Sequence, residues 1–317
     1  MRTTPIYVEL DIAADMDVIW SHTQEPNLHR QWDLRFTDIT YLPKEGENSP
    51  QRFLYRTRIG FGIAIAGTGE SRSSRSIATG GALSTLVFES EQPISLIRRG
   101  GGYWRYKPDG DRVTFSTKFN YTTRFGIVGR LLDRLAFRPL FGYATAWSFD
   151  MLRIWLERGI APAVTIQRAV IHYACVAVLS LLWLYEGLLP KLISPDSGEL
   201  QLYRATGLFP NLEHVLLPLL GVAEIGMGIA IALWHRRRAV YVGQSILLVL
   251  LGGTAIAGTP ELLLSPFNPL VLTVPMLALA IIAAMTATGV PMAGRCRRRT
   301  EDEVSAEKGG GSHEVYL

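Results

Sequence analysis

The run AVIHYACVAVLSLLWLYEGLLP, residues 169–190, lies between Arg168 and Lys191 and decides how the rest of the chain is organised. Apart from its Tyr and Cys side chains, its ionisable members are His172 and Glu186. A helix needs about 20 apolar residues to cross the hydrocarbon core of a bilayer. The run therefore predicts a membrane-spanning helix that separates a polar first half of the chain from an apolar second half.

Three further apolar runs follow the first span. Residues 215–234 contain the single carboxylate Glu224, whereas residues 239–259 and 267–292 carry no charge. The alternative is a buried helical core of a soluble protein, but helices in such cores usually keep a polar face, which these runs lack. The sequence therefore predicts an all-α bundle of four transmembrane helices over residues 165–293.

Basic residues are concentrated in three segments that fall on one side of an even number of spans. They are Arg153, Arg158 and Arg168 before the first span, residues 235–238 between the second and third, and Arg295, Arg297, Arg298 and Arg299 after the fourth. The other two connecting loops contain Lys191 and Arg204 as their basic residues. The positive-inside rule predicts a multi-pass protein of the inner (plasma) membrane with both termini in the cytoplasm.

The net charge of +4 of the 317-residue chain comes from its first half. Residues 1–160 hold 21 Lys or Arg and 17 Asp or Glu, whereas residues 161–293 hold 6 of each and residues 294–317 hold 5 of each. A basic cytoplasmic domain suits contact with an anionic inner leaflet. Nucleic acid is not predicted as a partner, because the basic residues are scattered among acidic ones without a recognised binding motif. Cys175 and Cys296 are not expected to pair, since they belong to different elements in a reducing compartment.

The first 160 residues show the period of half-buried β-strands. Apolar and polar residues alternate in residues 51–59 and 112–121, which predicts strands with one dry and one wet face. Further strands, two short helices after the first strand, and a helix over residues 129–157 that breaks near Pro139 are also predicted. A sheet with one dry face is antiparallel by preference and needs a cover. Residues 1–160 are therefore predicted to form an α+β helix-grip domain, in which an antiparallel sheet wraps around a long C-terminal helix.

An apolar cavity between the sheet and the long helix is the expected ligand site of such a domain. Its candidate lining consists of the aromatic residues Trp20, Trp32, Phe53, Tyr55, Trp104, Phe115, Phe119 and Trp147. His22 and His29 are not expected to bind a metal, because a zinc site needs three or four ligands. No metal site and no catalytic residue is predicted.

The start of the long helical segment combines basic and apolar residues. The basic ones are Arg124, Arg130, Arg134 and Arg138, and the apolar ones are Ile127, Leu131, Leu132, Leu135 and Phe137. Such a stretch can lie on the inner leaflet of the membrane. It can equally be the solvated face of a helix, and the sequence leaves both interpretations open.

Two segments of the first half resemble a known superfamily. DVIWSHTQEPNLHRQWDLRF, residues 17–36, resembles the opening of the SRPBCC superfamily, the START-like and polyketide cyclase group, in which one Trp follows the first strand and helix and another precedes the second strand. RFGIVGRLLDRLAFRPLFGYATAWSFDMLRIWLERG, residues 124–159, is similar to the closing helix of that group. The resemblance covers about the first 160 residues and implies a helix-grip fold with an apolar ligand cavity, without naming the ligand.

Charged and polar residues within or beside the spans form a second candidate site, because such residues are costly in a membrane and usually functional. They are His172, Glu186, Lys191, Glu213, His214 and Glu224. One interpretation is that they handle protons or a ligand. The favoured interpretation is a structural network that locks the bundle, with Glu224 neutral or paired. Gly221, Gly228 and Ala232 offer a surface for close contact with a neighbouring helix or a second copy of the chain.

The membrane half resembles the DoxX-like four-helix membrane family. The resemblance lies in LLWLYEGLLPKLI, residues 181–193, and GLFPNLEHVLLPLLGVAEIGMGIAIAL, residues 207–233, and it covers about residues 165–292. The residues that carry it are Gly187, Pro190 and Lys191 after the first span and residues 221–224 of the second. The family implies a link to quinone and thiol redox systems, but the sequence contains no haem, flavin or thiol-pair motif. The cofactor is left unassigned.

These observations favour a membrane protein that is not an enzyme on its own. Its cytoplasmic domain is expected to bind an apolar ligand, namely a lipid, isoprenoid or quinone, and to pass it to or from the membrane bundle. The expected partners are membrane lipid and an apolar small molecule, with a homo-oligomer or a membrane redox partner left open. The alternative is an accessory subunit of a quinone-linked membrane oxidoreductase, and a third hypothesis makes the first domain a cyclase or hydratase. Residues 294–317 are expected to form a disordered cytoplasmic tail.

Overall fold

The structure is a computed structural model that describes residues 4–300 except 45, 47, 48, 61, 76–79 and 267. The chain divides into two compact units. The helix-grip unit contains the described residues up to Val164 together with those from Pro291 onward, and the bundle unit is Thr165–Val290. This division differs from the predicted boundaries, because residues 291–293 leave the bundle and join the first unit.

The helix-grip unit contains a seven-stranded antiparallel sheet in the order β1-β7-β6-β5-β4-β3-β2. Its strands are β1 (Ile6–Ile12), β2 (Asp38–Tyr41), β3 (Gln51–Gly60), β4 (Ile63–Arg75), β5 (Ala82–Glu89), β6 (Ile97–Asp109) and β7 (Arg112–Thr123). The alternation predicted for β3 and β7 is present, since Phe53 and Phe115 are buried while Arg52 and Arg112 are exposed. The predicted α+β helix-grip fold is confirmed.

The helices of this unit are α1 (Met16–Gln24), α2 (Pro26–Trp32), α3 (Gly126–Leu132) and α4 (Arg138–Arg158). A π-helical turn, Asp133–Phe137, joins α3 to α4. The turn lies just before Pro139, whose missing N–H and ring prevent a regular α-helix from continuing through this point. The predicted break near Pro139 is therefore present as a wider turn, and the long helix is one continuous helical segment with this irregularity.

The middle of α4 is buried on every side, over residues 145–154. The sheet covers one side, where Phe149 stacks on Phe115 at 4.5 Å between ring centroids. The segment after the fourth span covers another side, because the buried Asp150 accepts a hydrogen bond from the backbone N–H of Met292 at 2.7 Å. The Sγ atom of Cys296 also lies 3.3 Å from a carbonyl oxygen of α4.

The expected disorder of residues 294–317 is wrong for residues 294–300, and residues 301–317 lie outside the described part of the chain. Arg297 forms an isolated antiparallel bridge with Glu9 of β1 and ion pairs with Glu9 and Asp11 at 3.2 and 3.4 Å. The composition of this segment predicted a solvated tail. Composition carries no information about the partners of Arg297, which lie almost the whole length of the chain away. The basic run is held by carboxylates of the sheet edge, which the local sequence does not reveal.

In its described residues, the bundle unit contains four helices that are long and apolar enough to cross a membrane. Its helices are α5 (Pro162–Leu188, which starts in the first unit), α6 (Glu199–Ala205), α7 (Glu213–Trp234), α8 (Arg238–Gly258) and α9 (Pro269–Thr286). The first span continues from α5 through a π-helical turn, Leu189–Ile193, which contains Pro190. The four predicted spans are confirmed as helices.

The last span is shorter than predicted. Helix α9 ends at Thr286, whereas the apolar run continues to Met292. Gly289 adopts a positive φ of 107° and Pro291 follows it, a combination that ends a helix. The predicted start of this span, Phe267, lies outside the described residues.

Helices α5 and α7 approach each other closely through glycines. A Cβ atom on Gly187 would lie 2.4 Å from the carbonyl oxygen of Gly221, and one on Gly228 would lie 2.9 Å from that of Ser180. Gly221 and Gly228 are therefore used for packing within the chain, not for the contact between copies that the sequence left open. Small residues at such crossings allow two membrane helices to gain van der Waals contact.

Candidate functional site

The helix-grip unit encloses a cavity of about 480 Å³. Its lining comes from β3 to β7, from the loop after α2, and from the segment that runs from α3 into α4. The apolar lining includes Phe36, Ile65, Leu86, Phe88, Leu96, Phe119, Phe137 and Phe141. The volume lies within the range of about 300–1,000 Å³ that is typical of small-molecule pockets.

Glycines in β6 make room for the rings that line this cavity. A Cβ on Gly100 would lie 2.4 Å from Cζ of Phe88, and one on Gly102 would lie 2.4 Å from Cβ of Phe119. Gly100 and Gly102 therefore pack closely against phenylalanine side chains. Gly102 itself lines the cavity.

Three of the eight aromatic residues predicted to line the cavity do so, namely Tyr55, Trp104 and Phe119. Phe53 instead lines a smaller adjoining cavity of about 40 Å³, which it shares with Trp104. Both cavities include Phe36, Leu86 and Trp104 in their linings.

The other four predicted residues lie outside both cavities. Trp32 and Phe115 are fully buried and pack against each other with ring centroids 6.4 Å apart. Trp20 packs against Tyr106 at 5.3 Å between ring centroids, and Trp147 is buried in α4 without lining either cavity. The alternation of the strands could not separate core aromatics from cavity aromatics, because both groups face the same side of the sheet.

Sequence reasoning missed the charged group in the cavity wall, Arg35. Its Nε and Nη2 atoms donate hydrogen bonds to the two carboxylate oxygens of Asp33 at 2.8 and 2.6 Å. Asp33 is 1 % exposed, and its Oδ2 atom also lies 3.0 Å from Nε2 of His29. Burial alone would raise the pKa of Asp33, but Arg35 and His29 together hold that pKa well below its usual range. The available signal was the Asp-x-Arg spacing directly after α2.

The other polar groups of the lining are mostly bonded to backbone carbonyls. The hydroxyl of Tyr55 donates a hydrogen bond to the backbone carbonyl of Glu89 at 3.3 Å. Burial, followed by the charge of the Glu89 side chain, raises the pKa of Tyr55 to about 12. Ser95 donates to the carbonyl of Ile97 at 2.7 Å. The charged residues in the described lining are Arg35 and Arg58, and Arg58 is exposed. Arg35 is thus the buried charge of an otherwise apolar cavity.

The cavity has an apolar rim, which we define as Leu34, Ile59, Ile94 and Leu132. These four lining residues are 46 %, 59 %, 57 % and 54 % exposed, respectively. Large apolar side chains are therefore presented to the surroundings around the same opening. A contiguous apolar patch of this kind marks a surface for a partner or a membrane.

A second exposed apolar surface lies beside the rim, on α3 and the π-helical turn. We call it the α3 surface and define it as Ile127, Val128, Leu131 and Leu135, all of which are more than half exposed. Arg130 and Arg134 are exposed on the same segment. Arg124 and Arg138 instead turn inward, to the carbonyls of Ser90 and Glu91 and to Asp133, respectively.

The bundle unit contains a second cavity, of about 380 Å³, that brings together Glu186, Lys191 and Glu224 of the predicted polar cluster. The Nζ atom of Lys191 lies 3.1 Å from Glu224 Oε2 and 3.4 Å from Oε2 of Glu199. Glu199 lies on α6, in the connection between the first and second spans. Glu224 is therefore paired, which is one form of the favoured structural interpretation.

The other members of the predicted cluster lie elsewhere in the bundle unit. The Nε2 atom of His172 lies 2.9 Å from Nδ1 of His235, and its Nδ1 atom is 3.1 Å from the carbonyl oxygen of Ala283. Glu213 forms an ion pair with Arg204 at 3.0 Å, and His214 is exposed. The sequence cluster is thus divided among three places.

Comparison with known proteins finds a family match in the bundle unit. A model of the DoxX-like family matches residues 180–281. The uncharacterized membrane protein YndG of Bacillus subtilis (strain 168) is 46 % identical over 188 residues, which are 59 % of this chain and 70 % of that protein.

Solved structures resemble the helix-grip unit at low identity. A STAR-related lipid transfer protein fragment from Xanthomonas axonopodis is 18 % identical, covers 48 % of this chain and 85 % of its own, and has a TM-score of 0.37. The Zhui aromatase/cyclase of Streptomyces sp. R1128 is 13 % identical, with coverages of 47 % and 94 % and a TM-score of 0.33.

A helix-grip domain joined to four helices that are long and apolar enough to cross a membrane defines a membrane protein with an α+β domain and a helical membrane bundle. The chain belongs to the DoxX-like family of membrane proteins.

Proposed function

We propose that the helix-grip unit binds an apolar molecule from the inner membrane and exchanges it with the lipid or with the bundle. The observation that carries the proposal is the cavity of about 480 Å³ with its largely aromatic and aliphatic lining. Burial of apolar surface is favourable by about 25 cal/mol per Å², so a chain-like or ring-like hydrocarbon is the class of ligand that such a wall favours. A lipid, an isoprenoid and a quinone all belong to this class.

The apolar rim and the α3 surface support exchange with a membrane. The side chains of Ile59 and Ile94 are more than half exposed at the cavity opening. On the α3 surface, exposed apolar residues are accompanied by Arg130 and Arg134, which suit the anionic headgroups of an inner leaflet. Of the two interpretations of this stretch, lipid contact is favoured, because the outward face is apolar instead of being covered with charge.

The connectivity of the chain supports the proposed cytoplasmic location of the helix-grip unit. The chain leaves this unit after residue 164 and returns to it at residue 291, so the four spans begin and end on the same side. Residues 235–238 connect the second and third spans and must lie on that side as well. Their three arginines favour a cytoplasmic location for that side by the positive-inside rule.

The bundle cavity offers a second place for the same class of ligand. It combines apolar residues such as Leu217 and Leu248 with the Lys191–Glu224 pair. A molecule with a polar head and an apolar body fits such a mixed wall. The alternative function, an accessory subunit of a quinone-linked oxidoreductase, stays a prediction.

The test of ligand binding uses the full chain, purified from its native membrane and examined by native mass spectrometry. We expect one apolar ligand per chain. In the variant Ala144→Phe, a ring would occupy the cavity wall, and ligand occupancy should fall at least tenfold. The matched control Ala161→Phe changes an exposed residue outside the cavity and should keep the wild-type occupancy. Equal occupancy in both variants, or an empty wild-type protein after incubation with long-chain lipids, would refute the proposal.

Exchange with lipid is tested separately from binding. The double variant Ile127→Glu/Leu135→Glu places two charges on the α3 surface, so transfer of a bound fluorescent lipid to anionic vesicles should slow by about tenfold or more. The control Leu83→Glu/Val87→Glu alters two exposed apolar residues of β5 that lie outside the cavity lining. Transfer at the same rate in both double variants would show that the α3 surface does not take part in lipid exchange.

A further inference from the structure

The guanidinium of Arg35 is held in one orientation by the cavity wall. Asp33 accepts hydrogen bonds from Nε and Nη2, and the ring centroids of Phe36 and Phe119 lie 5.7 and 5.5 Å from its Cζ atom. The side chain of Arg35 is 8 % exposed, and Asp33 is anchored in turn by His29. The orientation is therefore set before any ligand enters, which lowers the ordering cost of binding.

One edge of this guanidinium has no partner. Arginine has five N–H donors, and Asp33 takes the pair on the Nε and Nη2 side. Among the described residues, the side-chain hydrogen bonds of Arg35 are those from Nε and Nη2 to Asp33, and none comes from Nη1. The end-on pair, one N–H from Nη1 and one from Nη2, points in parallel and matches the two oxygens of a carboxylate.

We propose that the ligand of the helix-grip cavity is a single-chain amphiphile whose carboxylate head binds the end-on edge of Arg35. This inference rests on the proposed function and names the class of ligand. The apolar chain then lies along the lining, where Leu86, Phe88 and Phe141 contribute hydrocarbon surface. Removing either the charge of the ligand head or the free edge of the guanidinium abolishes the selectivity for a carboxylate. The apolar chain of the ligand still fits the cavity.

The charges of the site favour a carboxylate over a phosphate monoester. Among the described residues, Asp33 is the carboxylate that pairs with both Arg35 and His29, so the end-on edge of Arg35 offers one fork, which a head with a single negative charge fills. A dianionic phosphate would leave one buried charge without compensation, which is costly in an apolar cavity. Oxyanion heads of both kinds share the fork geometry, and the probes below distinguish them.

The test measures competition among three probes of equal chain length for the full-length protein in detergent, by native mass spectrometry. The probes are hexadecanoic acid, its methyl ester and hexadecyl phosphate. We expect the acid to bind at least tenfold more tightly than the ester and more tightly than the phosphate, since charge-assisted bidentate hydrogen bonds are roughly twice as strong as neutral ones. Tighter binding of the phosphate would overturn the carboxylate assignment.

Two variants test the role of Arg35. Arg35→Gln/Asp33→Asn removes both charges together, so that no carboxylate is left buried without a partner. Arg35→Lys keeps the charge but lacks the second fork. In both, the preference for acid over ester should fall to within about twofold, while ester binding stays at the wild-type level. An unchanged preference in either variant would overturn the inference.

Failure of the inference can be told apart from failure of the proposed function. Equal binding of acid and ester by the wild-type protein would refute a carboxylate head and leave an apolar-ligand site in place. Binding of neither would refute both. Arg35→Met/Asp33→Leu, which replaces the pair with apolar groups, should bind the ester at least as well as the wild type does, and loss of ester binding there would show that the pair only supports the cavity wall.

Discussion

Glu9 and Arg297 exchange two backbone hydrogen bonds, each with an N–O distance of 2.9 Å, and their side chains form an ion pair at 3.2 Å. The first strand of the helix-grip unit is thereby paired with a residue that follows the fourth membrane helix. The pairing satisfies the backbone groups of Glu9 on the free edge of β1, which would otherwise be unpaired there.

Deletion of residues 291–317 should destabilise the helix-grip unit. Asp150, which is fully buried, would lose the N–H of Met292, and Cys296 would no longer cover α4. Hydrogen bonds to charged groups contribute about 1.5–3 kcal/mol. We expect a loss of about 3 kcal/mol in the free energy of unfolding, or roughly 6–12 °C in Tm for a domain of this size.

The measurement is thermal resistance of the helix-grip unit to a protease in the full-length background. Deletion of residues 301–317 is the matched control, because it leaves residues 291–300 in place and should change Tm by no more than about 1 °C. Equal Tm values for the two deletions would contradict the role assigned to the segment after the fourth span.

Much of the fold could be predicted because it depends on local periodicity. The four spans follow from runs of apolar residues, and the faces of β3 and β7 follow from alternation. The contacts of Arg297 and Lys191 could not be predicted from the sequence, since their partners Glu9 and Glu199 lie on other elements. The cavity of the helix-grip unit was expected from the fold, but the place of Arg35 in its wall was not, because Arg35 lies in the connection before β2, which begins at Asp38. A bidentate pair two residues apart leaves no periodic signal.

Substitution of Gly187 by leucine should disrupt the crossing of α5 and α7. Even a Cβ atom would lie 2.4 Å from the carbonyl oxygen of Gly221, so the helices would have to separate. Overpacking of a close contact typically costs about 1–3 kcal/mol, and more where backbone must move. We expect a lower midpoint of thermal aggregation in detergent, measured by size-exclusion chromatography with fluorescence detection.

Gly226→Leu is the matched control for this crossing. Gly226 lies on α7, and no described atom lies within 4 Å of a Cβ placed there. The leucine would point away from the other helices, and its midpoint should equal that of the wild type. A midpoint for Gly187→Leu as high as that of Gly226→Leu would show that the glycine crossing does not hold the bundle together.

Loss of Lys191 should be more harmful than loss of Glu224. The two side chains are 7 % and 3 % exposed, and removing one partner of a buried pair costs about 3–5 kcal/mol. Glu224→Gln leaves Lys191 with Glu199, so expression and thermal midpoint should stay close to wild type. Lys191→Met leaves the Glu224 carboxylate without a cation, and Lys191→Met/Glu224→Gln should recover most of the loss.

The same variants distinguish a structural pair from a functional one. A stable Glu224→Gln protein that keeps wild-type lipid exchange would agree with a network that only locks the bundle. A stable Glu224→Gln protein with exchange reduced tenfold or more would instead assign Glu224 to ligand or proton handling. Equal midpoints for Lys191→Met and Glu224→Gln would contradict the pairing argument itself.

The buried carboxylate of Asp33 should make the helix-grip unit sensitive to acid. Burial by itself raises the pKa of Asp33, but the charges and hydrogen bonds of Arg35 and His29 outweigh burial and lower that pKa below its usual value near 4. Because the pKa is lower in the folded state, the resulting stability is fully present above about pH 4. It is lost as the pH falls from there through the folded-state value.

Asp33→Asn removes this titration, so its free energy of unfolding should be lower at neutral pH but should fall less steeply below pH 4. A single group accounts for at most about 1.4 kcal/mol per pH unit of slope. Thermal unfolding followed by near-ultraviolet circular dichroism between pH 2.5 and 6 measures the difference. Asp17→Asn is the control, since Asp17 has an 85 % exposed side chain and pairs with Arg75 at the surface. If Asp33→Asn and the wild type lost stability with the same slope below pH 4, the Asp33–Arg35 pair would not be the source of acid sensitivity.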